Sequence, residues 1–311
     1  RYLKKGSTHL FRERQVRYQF ILDHKELFTV EKMCKRMEVS VNAYYSWLKM
    51  KDVRHEKVST IHLKERIKAL FNENRQAYGA TRLQKMLERE GLVYCRSYIG
   101  LLMKGMGLRS VLSKKFKVVT TDSNHSYPLA KNLLDRDFKS NELGQKWVSD
   151  ITYIKVAGQW NYVTTIMDLA DRKILSWTLS KDMTTENTVY TTWVKARETR
   201  AITPNHIFHS DRGVQYASNK MTSLLEKNIY ISQSMSRKGN CWDNAVAESF
   251  FKTLKYECTN RYRFSTFNQA KKIIDEYINW YNYQRIHSSL DYKTPVEREL
   301  EIRLQNYYNV A

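Results

Sequence analysis

The chain has 311 residues, 42% of them apolar, which is enough for two or three cores and too apolar for a disordered protein. Lys and Arg number 53 against 32 Asp and Glu, a formal net charge of +21 that points to a polyanionic partner, nucleic acid first. Three prolines and ten glycines argue against long Pro- or Gly-rich linkers, and no run of about twenty apolar residues offers a membrane span.

The positive excess is uneven: residues 1–150 hold 31 basic and 16 acidic side chains, residues 151–311 hold 22 and 16. A first segment, 1–54, reads as helical. Val16, Phe20, Ile21 and Leu27 have helix-like spacing, and Thr29 is positioned to cap a helix with Val30, Met33 and Met37 on one face. Ser40 can cap the next helix, Val41–Met50, in which Tyr44, Tyr45 and Lys49 are candidate DNA contacts. Helix, turn, then an aromatic and basic helix is the outline of a helix-turn-helix unit, and equally of a plain helical bundle.

Residues 55–108 repeat the outline. Ile61, Ile67 and Leu70 share a long helix, Leu83, Met86 and Leu87 form the core of a second, and Cys95–Met106 is a third. Arg82, Arg96, Ser97 and Tyr98 stand near helix starts, where base and phosphate contacts are commonly placed. Residues 109–146 read as a basic linker, with Lys114, Lys115 and Lys117 suited to a DNA backbone.

From Trp147 the periodicity becomes that of strands. Trp147–Val156, Tyr162–Leu169 and Ile174–Leu179 predict an antiparallel meander with turns at Ala157-Gly158 and Asp171-Arg172. A helix at Thr185–Arg200, a strand at Ile207–Ser210, a helix at Lys220–Lys227, a strand at Ile229–Gln233 and a helix at Asp243–Glu257 follow. The expected fold is therefore multidomain: N-terminal all-α helix-turn-helix units, then an α/β core at 147–262 with a mixed five-stranded sheet flanked by helices. A helical region at 263–311 completes the chain, with a long helix at Thr266–Arg285.

Three acids stand in settings where an unpaired carboxylate is expensive. Asp150 lies inside a strand, Asp211 ends one, and Glu248 lies among apolar residues on a helix and is expected to face inward. Any one alone reads equally as an ordinary salt-bridge partner. Together they form an all-oxygen set suited to Mg²⁺ or Mn²⁺, and two such ions support phosphodiester transfer. Asp168 is a weaker candidate for a fourth acid, Asp171 falls in a turn, and Asp243 reads as a helix N-cap. Cys34, Cys95, Cys241 and Cys258 form no C-x-x-C pair, and His206 and His209 lack a cysteine pair to complete a zinc site. With no secretory signal, these features predict a cytoplasmic, reduced, nucleoid-associated protein.

The blocks Trp147-Val148-Ser149-Asp150-Ile151-Thr152-Tyr153-Ile154, His209-Ser210-Asp211-Arg212-Gly213-Val214-Gln215-Tyr216 and Ser234-Met235-Ser236-Arg237-Lys238-Gly239-Asn240-Cys241-Trp242-Asp243-Asn244-Ala245 resemble signature blocks of bacterial insertion-sequence transposases. The resemblance is to the second reading frame of the IS-three family, and it covers nearly the whole chain. The tail Trp280-Tyr281-Asn282, Arg285, His287, Leu290 and Thr294-Pro295 fits the same family.

The resemblance implies a ribonuclease-H-like core of the retroviral-integrase type, with Asp150, Asp211 and Glu248 as a DDE metal triad. It implies cleavage at the element's terminal inverted repeats and strand transfer into target DNA, by a homodimer or higher assembly on DNA. It also implies that Lys255, seven residues after the glutamate, contacts the DNA end, with Lys252 one turn earlier; Arg237, Lys238 and Asn240 are further candidate DNA contacts. Two departures stand out: 36 residues separate Asp211 from Glu248, about one more than usual, and Asp291 replaces a common glycine. Arg1 in place of methionine fits an upstream reading-frame segment and equally fits processing of the chain. A metal-dependent nuclease without joining activity would share the triad, whereas a DNA-binding repressor with a decayed core would not need to retain it.

Overall fold

The computed structural model describes residues 14–51, 58–111 and 127–310; Lys114, Lys115 and Lys117 lie outside them. The chain divides into two compact units, Arg1–Glu65 and Arg66–Ala311.

The first unit holds α1 (Arg14–Asp23), α2 (Val30–Arg36) and α3 (Val41–Lys51). Thr29 occupies the N-cap of α2 in an extended conformation, and Glu31 near the start with Lys35 and Arg36 near the end complement the helix dipole. Tyr18, Ile21, Met33, Cys34 and Tyr44 form the core. The expected stripe is only partly realised: Val16 is 42% and Leu27 72% exposed. Helix α1 ends at Asp23, so Leu27 falls in the following turn, and Tyr18 takes the inward position instead.

Helix α4 (Val58–Glu73) crosses into the second unit, where α5 (Ala80–Arg89) and α6 (Arg96–Gly105) follow. Ile67, Leu70, Leu83, Leu87 and Ile99 are fully buried, as the 3.6-residue period requires. Tyr78 ties these helices to the chain's far end, accepting from the Ile286 N–H at 2.8 Å, while Arg89 grips Glu297 through both guanidinium nitrogens.

The sheet comprises β1 (Lys146–Val156), β2 (Gln159–Asp168), β3 (Ile174–Ser180), β4 (His206–Ser210) and β5 (Ile231–Met235), in the order β3-β2-β1-β4-β5. The first three strands are an antiparallel meander, and β4 and β5 add in parallel beside β1. This is the mixed five-stranded, ribonuclease-H-like arrangement expected from the sequence. Ala157 (φ 48°) and Gly158 (φ 81°) make the β1–β2 turn, two successive left-handed residues whose twist matches that of the flanking strands.

Helix α7 (Thr191–Thr199) packs on one face of the sheet, and a π-helical turn, Glu186–Tyr190, precedes it where one continuous helix was expected. Trp147, Trp193, Phe208 and Tyr216 fill this core, with the Trp193 and Phe208 rings edge-on at 4.8 Å. Deleting one such ring would cost about 3–5 kcal/mol. Short helices α8 (Val214–Ala217) and α9 (Asn219–Glu226) lead to β5, which starts later than expected: Ile229 lies outside it and is 90% exposed.

Residues 127–145 carry no helix or strand, yet they are fastened to β5: the Leu133 and Leu134 N–H groups donate to Ser234 Oγ at 2.8 and 3.2 Å. Helices α10 (Ala245–Glu257), α11 (Phe267–Tyr283) and α12 (Pro295–Val310) complete the unit. Thr266 caps α11 by accepting from the Gln269 N–H at 3.1 Å. No helix among the described residues is long and apolar enough to cross a membrane.

Candidate active site

Strands β1 and β4 run parallel with Lys146 opposite Ile207, Trp147 opposite Phe208 and Val148 opposite His209. The same register carried two residues further sets Asp150 beside Asp211, just past the end of β4. The sequence separates these two acids widely; the parallel pairing makes them neighbours. The Asp150 carboxylate accepts from the Ile151 N–H at 2.8 Å, and that of Asp211 from the Gly213 N–H at 3.0 Å. A Cβ on Gly213 would stand 3.1 Å from the Asp211 carboxylate, so a residue without a side chain leaves that carboxylate room.

Glu248 comes from the first turn of α10. Ala247, Phe250, Phe251 and Leu254 face the core, which leaves Glu248, Lys252 and Lys255 on an adjoining stripe at helical spacing. Glu248 is exposed, contrary to the inward orientation expected from its apolar neighbours. Ala247, Phe250 and Phe251 are buried because they occupy a different face of the helix.

The three carboxylates nonetheless sense one another. Desolvation pushes the Asp150 carboxyl well above its ordinary range, and the charges of Asp211 and Glu248 push it further; the Ile151 N–H and Lys255 oppose the shift. Glu248 is raised by partial desolvation and by Asp211. Lys255 is lowered by burial, with Asp150 pulling the other way, and its ammonium lies 4.7 Å from the centre of the Tyr153 ring.

Among the described residues no three acidic, histidine or cysteine side chains are already drawn together at metal-ligating spacing. The donor set still fits a hard dication. It is all carboxylate oxygen, and a divalent ion would offset both the burial that raises Asp150 most and the added repulsion from Asp211 and Glu248.

The residues around the triad carry a support that sequence reasoning missed. Ser149 donates to the Thr165 carbonyl at 2.9 Å, so the Tyr216 hydroxyl, 2.8 Å from Ser149 Oγ, is the donor to it. Tyr216 is buried, and burial together with Asp150 and Asp211 raises its phenol far above the ordinary value, so it stays neutral beneath the acids. Asn244 Nδ2 donates to the Ser149 carbonyl at 3.1 Å. Tyr216 and Asn244 both lie in blocks already singled out by resemblance, which was the available signal.

Other candidates go elsewhere. Asp168 is not a fourth acid: it is fully buried and accepts from Arg200 (2.8 Å), Gly144 N–H (2.7 Å) and Trp147 Nε1 (3.1 Å). Asp171 takes the other arm of Arg200 at 2.7 Å, and its carboxyl is raised to about 6 by burial. Asp243 is not an N-cap; it sits in a 3-10 turn, Cys241–Asn244, and binds Arg237 and Arg136. Arg237 therefore spends its guanidinium on Asp243 and Asp135, while Lys238 is exposed and Asn240 half-buried. His206 and His209 are core residues, bonded to the Gly144 carbonyl and Ser234 Oγ, and burial lowers both to about 4.

In the first unit Tyr45 and Lys49 are exposed on α3, but Tyr44 is 1% exposed and packs against Tyr18. Its ring belongs to the core, not to a DNA-facing surface. In the second unit Arg96 and Ser97 are exposed at the start of α6, and Tyr98 packs against Tyr94. Arg82 turns inward over the Tyr78 ring at 5.5 Å, where desolvation and the nearby Arg285 lower its basicity.

Comparison with known proteins matches residues 140–241 and 230–295 to families described as integrase core domains, and residues 61–116 to an HTH-like domain. The "Insertion element IS600 uncharacterized 31 kDa protein" of Shigella sonnei is 38% identical over 268 residues, spanning 85% of this chain and 96% of its own. "Transposase InsF for insertion sequence IS3A" of Escherichia coli (strain K12) is 32% identical over 283 residues, spanning 88% and 94%. Among solved structures, a simian T-cell lymphotropic virus intasome in complex with PP2A regulatory subunit B56 gamma aligns at a TM-score of 0.43 and 15% identity, over 69% of each chain.

Proposed function

Because this chain belongs to the IS3 family of insertion-sequence transposases, we propose that it binds the terminal inverted repeats of its element, cleaves DNA there and joins the freed 3′-hydroxyl to target DNA. The observation that carries this reading is the parallel register that puts Asp150 beside Asp211, with the Glu248 charge felt at the same carboxyl. Asp150, Asp211 and Glu248 would hold Mg²⁺ or Mn²⁺, two ions in a complete site. Bound there, such ions activate a water or 3′-hydroxyl and stabilise the leaving oxygen.

The chain's own residues position the DNA. Lys255, on the helical stripe of Glu248, meets a phosphate near the reacting bond, and exposed Lys252 meets the next. Neutral Tyr216 holds Ser149 and hence the backbone beside Asp150. The helices of 1–54 and 55–108 grip the repeat through Tyr45, Lys49, Arg96 and Ser97, and 147–262 is the catalytic part. Both element ends must be held at once, so the DNA-bound form is a dimer or larger, at the nucleoid.

A strand-transfer assay with labelled element-end DNA and Mg²⁺ or Mn²⁺ tests this, comparing the parent with Glu248→Gln. The parent should give joined products, and the variant should bind DNA with joining reduced at least a hundredfold. Equal joining by both proteins would remove Glu248 from the triad. Cleavage without joining would favour a nuclease.

A further inference from the structure

Lys255 is one end of a longer surface feature. Its ammonium lies over Tyr153, whose ring meets that of Trp160 edge-on, with centroids 4.8 Å apart. Trp160 in turn carries the Lys155 ammonium 4.9 Å from its ring centre, the two residues being register partners across the β1–β2 hairpin. Lys255 of α10, which senses the Asp150 charge, is thus followed by Tyr153, Trp160 and Lys155 of the hairpin in one continuous run of ring and cation contacts. Trp160 is half exposed, and Lys155 is exposed as well.

Beyond the hairpin tip, the Ala157 N–H donates to the Phe264 carbonyl at 2.8 Å. This contact brings the segment containing Tyr262, 45% exposed, and exposed Arg263 alongside. The sequence keeps acids out of both segments: none occurs between Asp150 and Asp168, and none between Glu257 and Asp275.

We propose that the strip running from Lys255 through Tyr153 and Trp160 to Lys155 is the track along which one unpaired DNA strand leaves the triad. The inference rests on the DNA-processing reading above and specifies the path. Aromatic faces set among cations, with no carboxylate to repel phosphates, are what a single strand requires: bases stack and the backbone is neutralised. A base can displace Lys155 from the indole, because stacking on an aromatic ring outweighs an exposed cation–ring contact. A protein partner suits the strip less well, since lysine is depleted from the cores of protein interfaces.

The test uses the whole chain carrying Glu248→Gln, so that DNA is bound without being consumed. Affinity is measured for element-end duplexes that are blunt or that carry a short unpaired tail. Trp160→Ala should weaken binding of the tailed duplex about tenfold and of the blunt one much less, with Trp160→Phe retaining most of the affinity. Lys155→Ala should lower the salt dependence of tailed-duplex binding by about one unit in slope; this variant also keeps the test open should Trp160→Ala lose its fold. Equal affinities for both duplexes in every variant, with an unchanged slope, would overturn the track. So would variants that alter only the oligomeric state, which would assign the surface to a second copy. If the Glu248→Gln chain binds neither duplex, the DNA-processing reading falls together with the track.

Discussion

The side-chain amide of Asn244 donates to the main-chain carbonyl of Ser149 at 3.1 Å, fastening the start of α10 to β1 one residue before Asp150. Glu248 is one helical turn further along α10 and Lys255 two turns beyond that, so this bond, together with the packing of Ala247, Phe250 and Leu254, holds the helix-borne acid near the strand-borne one. Asp243, next to Asn244, is held by Arg237 and Arg136, which makes the joint stiff.

Asn244→Ala should therefore cost about 1–3 kcal/mol, because it strands a buried carbonyl, and should lower strand transfer by about two orders of magnitude. Thermal melting and the strand-transfer assay measure the two effects separately. A loss of stability with full activity would show that the bond does not set the catalytic distance.

Asp150 makes a prediction about pH. Its carboxyl is raised above the ordinary 3.8, so the folded protein binds its proton more tightly than the unfolded chain does. The contribution of this group to stability is thus full at low pH and is lost progressively as pH rises above about that value. In chelator, Asp150→Asn should melt above the parent at pH 7, with the gap closing toward pH 4. Added Mg²⁺ should raise the melting temperature of the parent more than that of the variant. An Asp150→Asn protein less stable than the parent at pH 7 in chelator would refute a charge disfavoured by burial and by the neighbouring acids.

Removing the charge of Asp168 should change stability in the opposite direction. Asp168→Asn leaves Arg200 buried with one carboxylate fewer and should destabilise the protein by about 3–5 kcal/mol. Chemical denaturation would detect it. Mg²⁺-induced stabilisation of the folded fraction should persist, because Asp168 lies outside the site.

Asp291 adopts a left-handed conformation, φ 53° and ψ 40°, which glycine takes up more readily than any residue with a Cβ. Asp291→Gly should raise stability by about 0.5–1 kcal/mol by relieving the clash of Cβ with the following carbonyl. Urea unfolding provides the measurement; a lower midpoint would mean that the aspartate makes a compensating local bond.

Most elements were legible in the sequence because their causes are local. β-Branched and aromatic residues gave β1 and β3 to within a residue at each end and β2 to within three, and Thr29 marked the start of its helix. Boundaries slipped where a tertiary contact intervened. The Ile229 side chain looked like a strand residue, but β5 begins only where pairing with His206 starts, at Ile231. The turn carrying Asp243 is set by Arg136, which is remote in sequence.

The sequence by itself determined the residue types and their order: a basic helical half, a strand-rich half, and three acids in settings that disfavour an unpaired charge. Only the tertiary structure decided which acids meet. Asp150 and Asp168 are both strand aspartates with apolar neighbours, and nothing local separates them. Arg200 and Gly144 reach one and not the other, while the parallel pairing of β1 with β4 brings Asp211 to Asp150. It also decided that Tyr44 is core while Tyr45 is surface, and that Glu248 looks outward. The physical reason is the same in each case. Helical and strand periods are written into successive residues, whereas the burial and pairing of a charge depend on groups the chain brings together from afar.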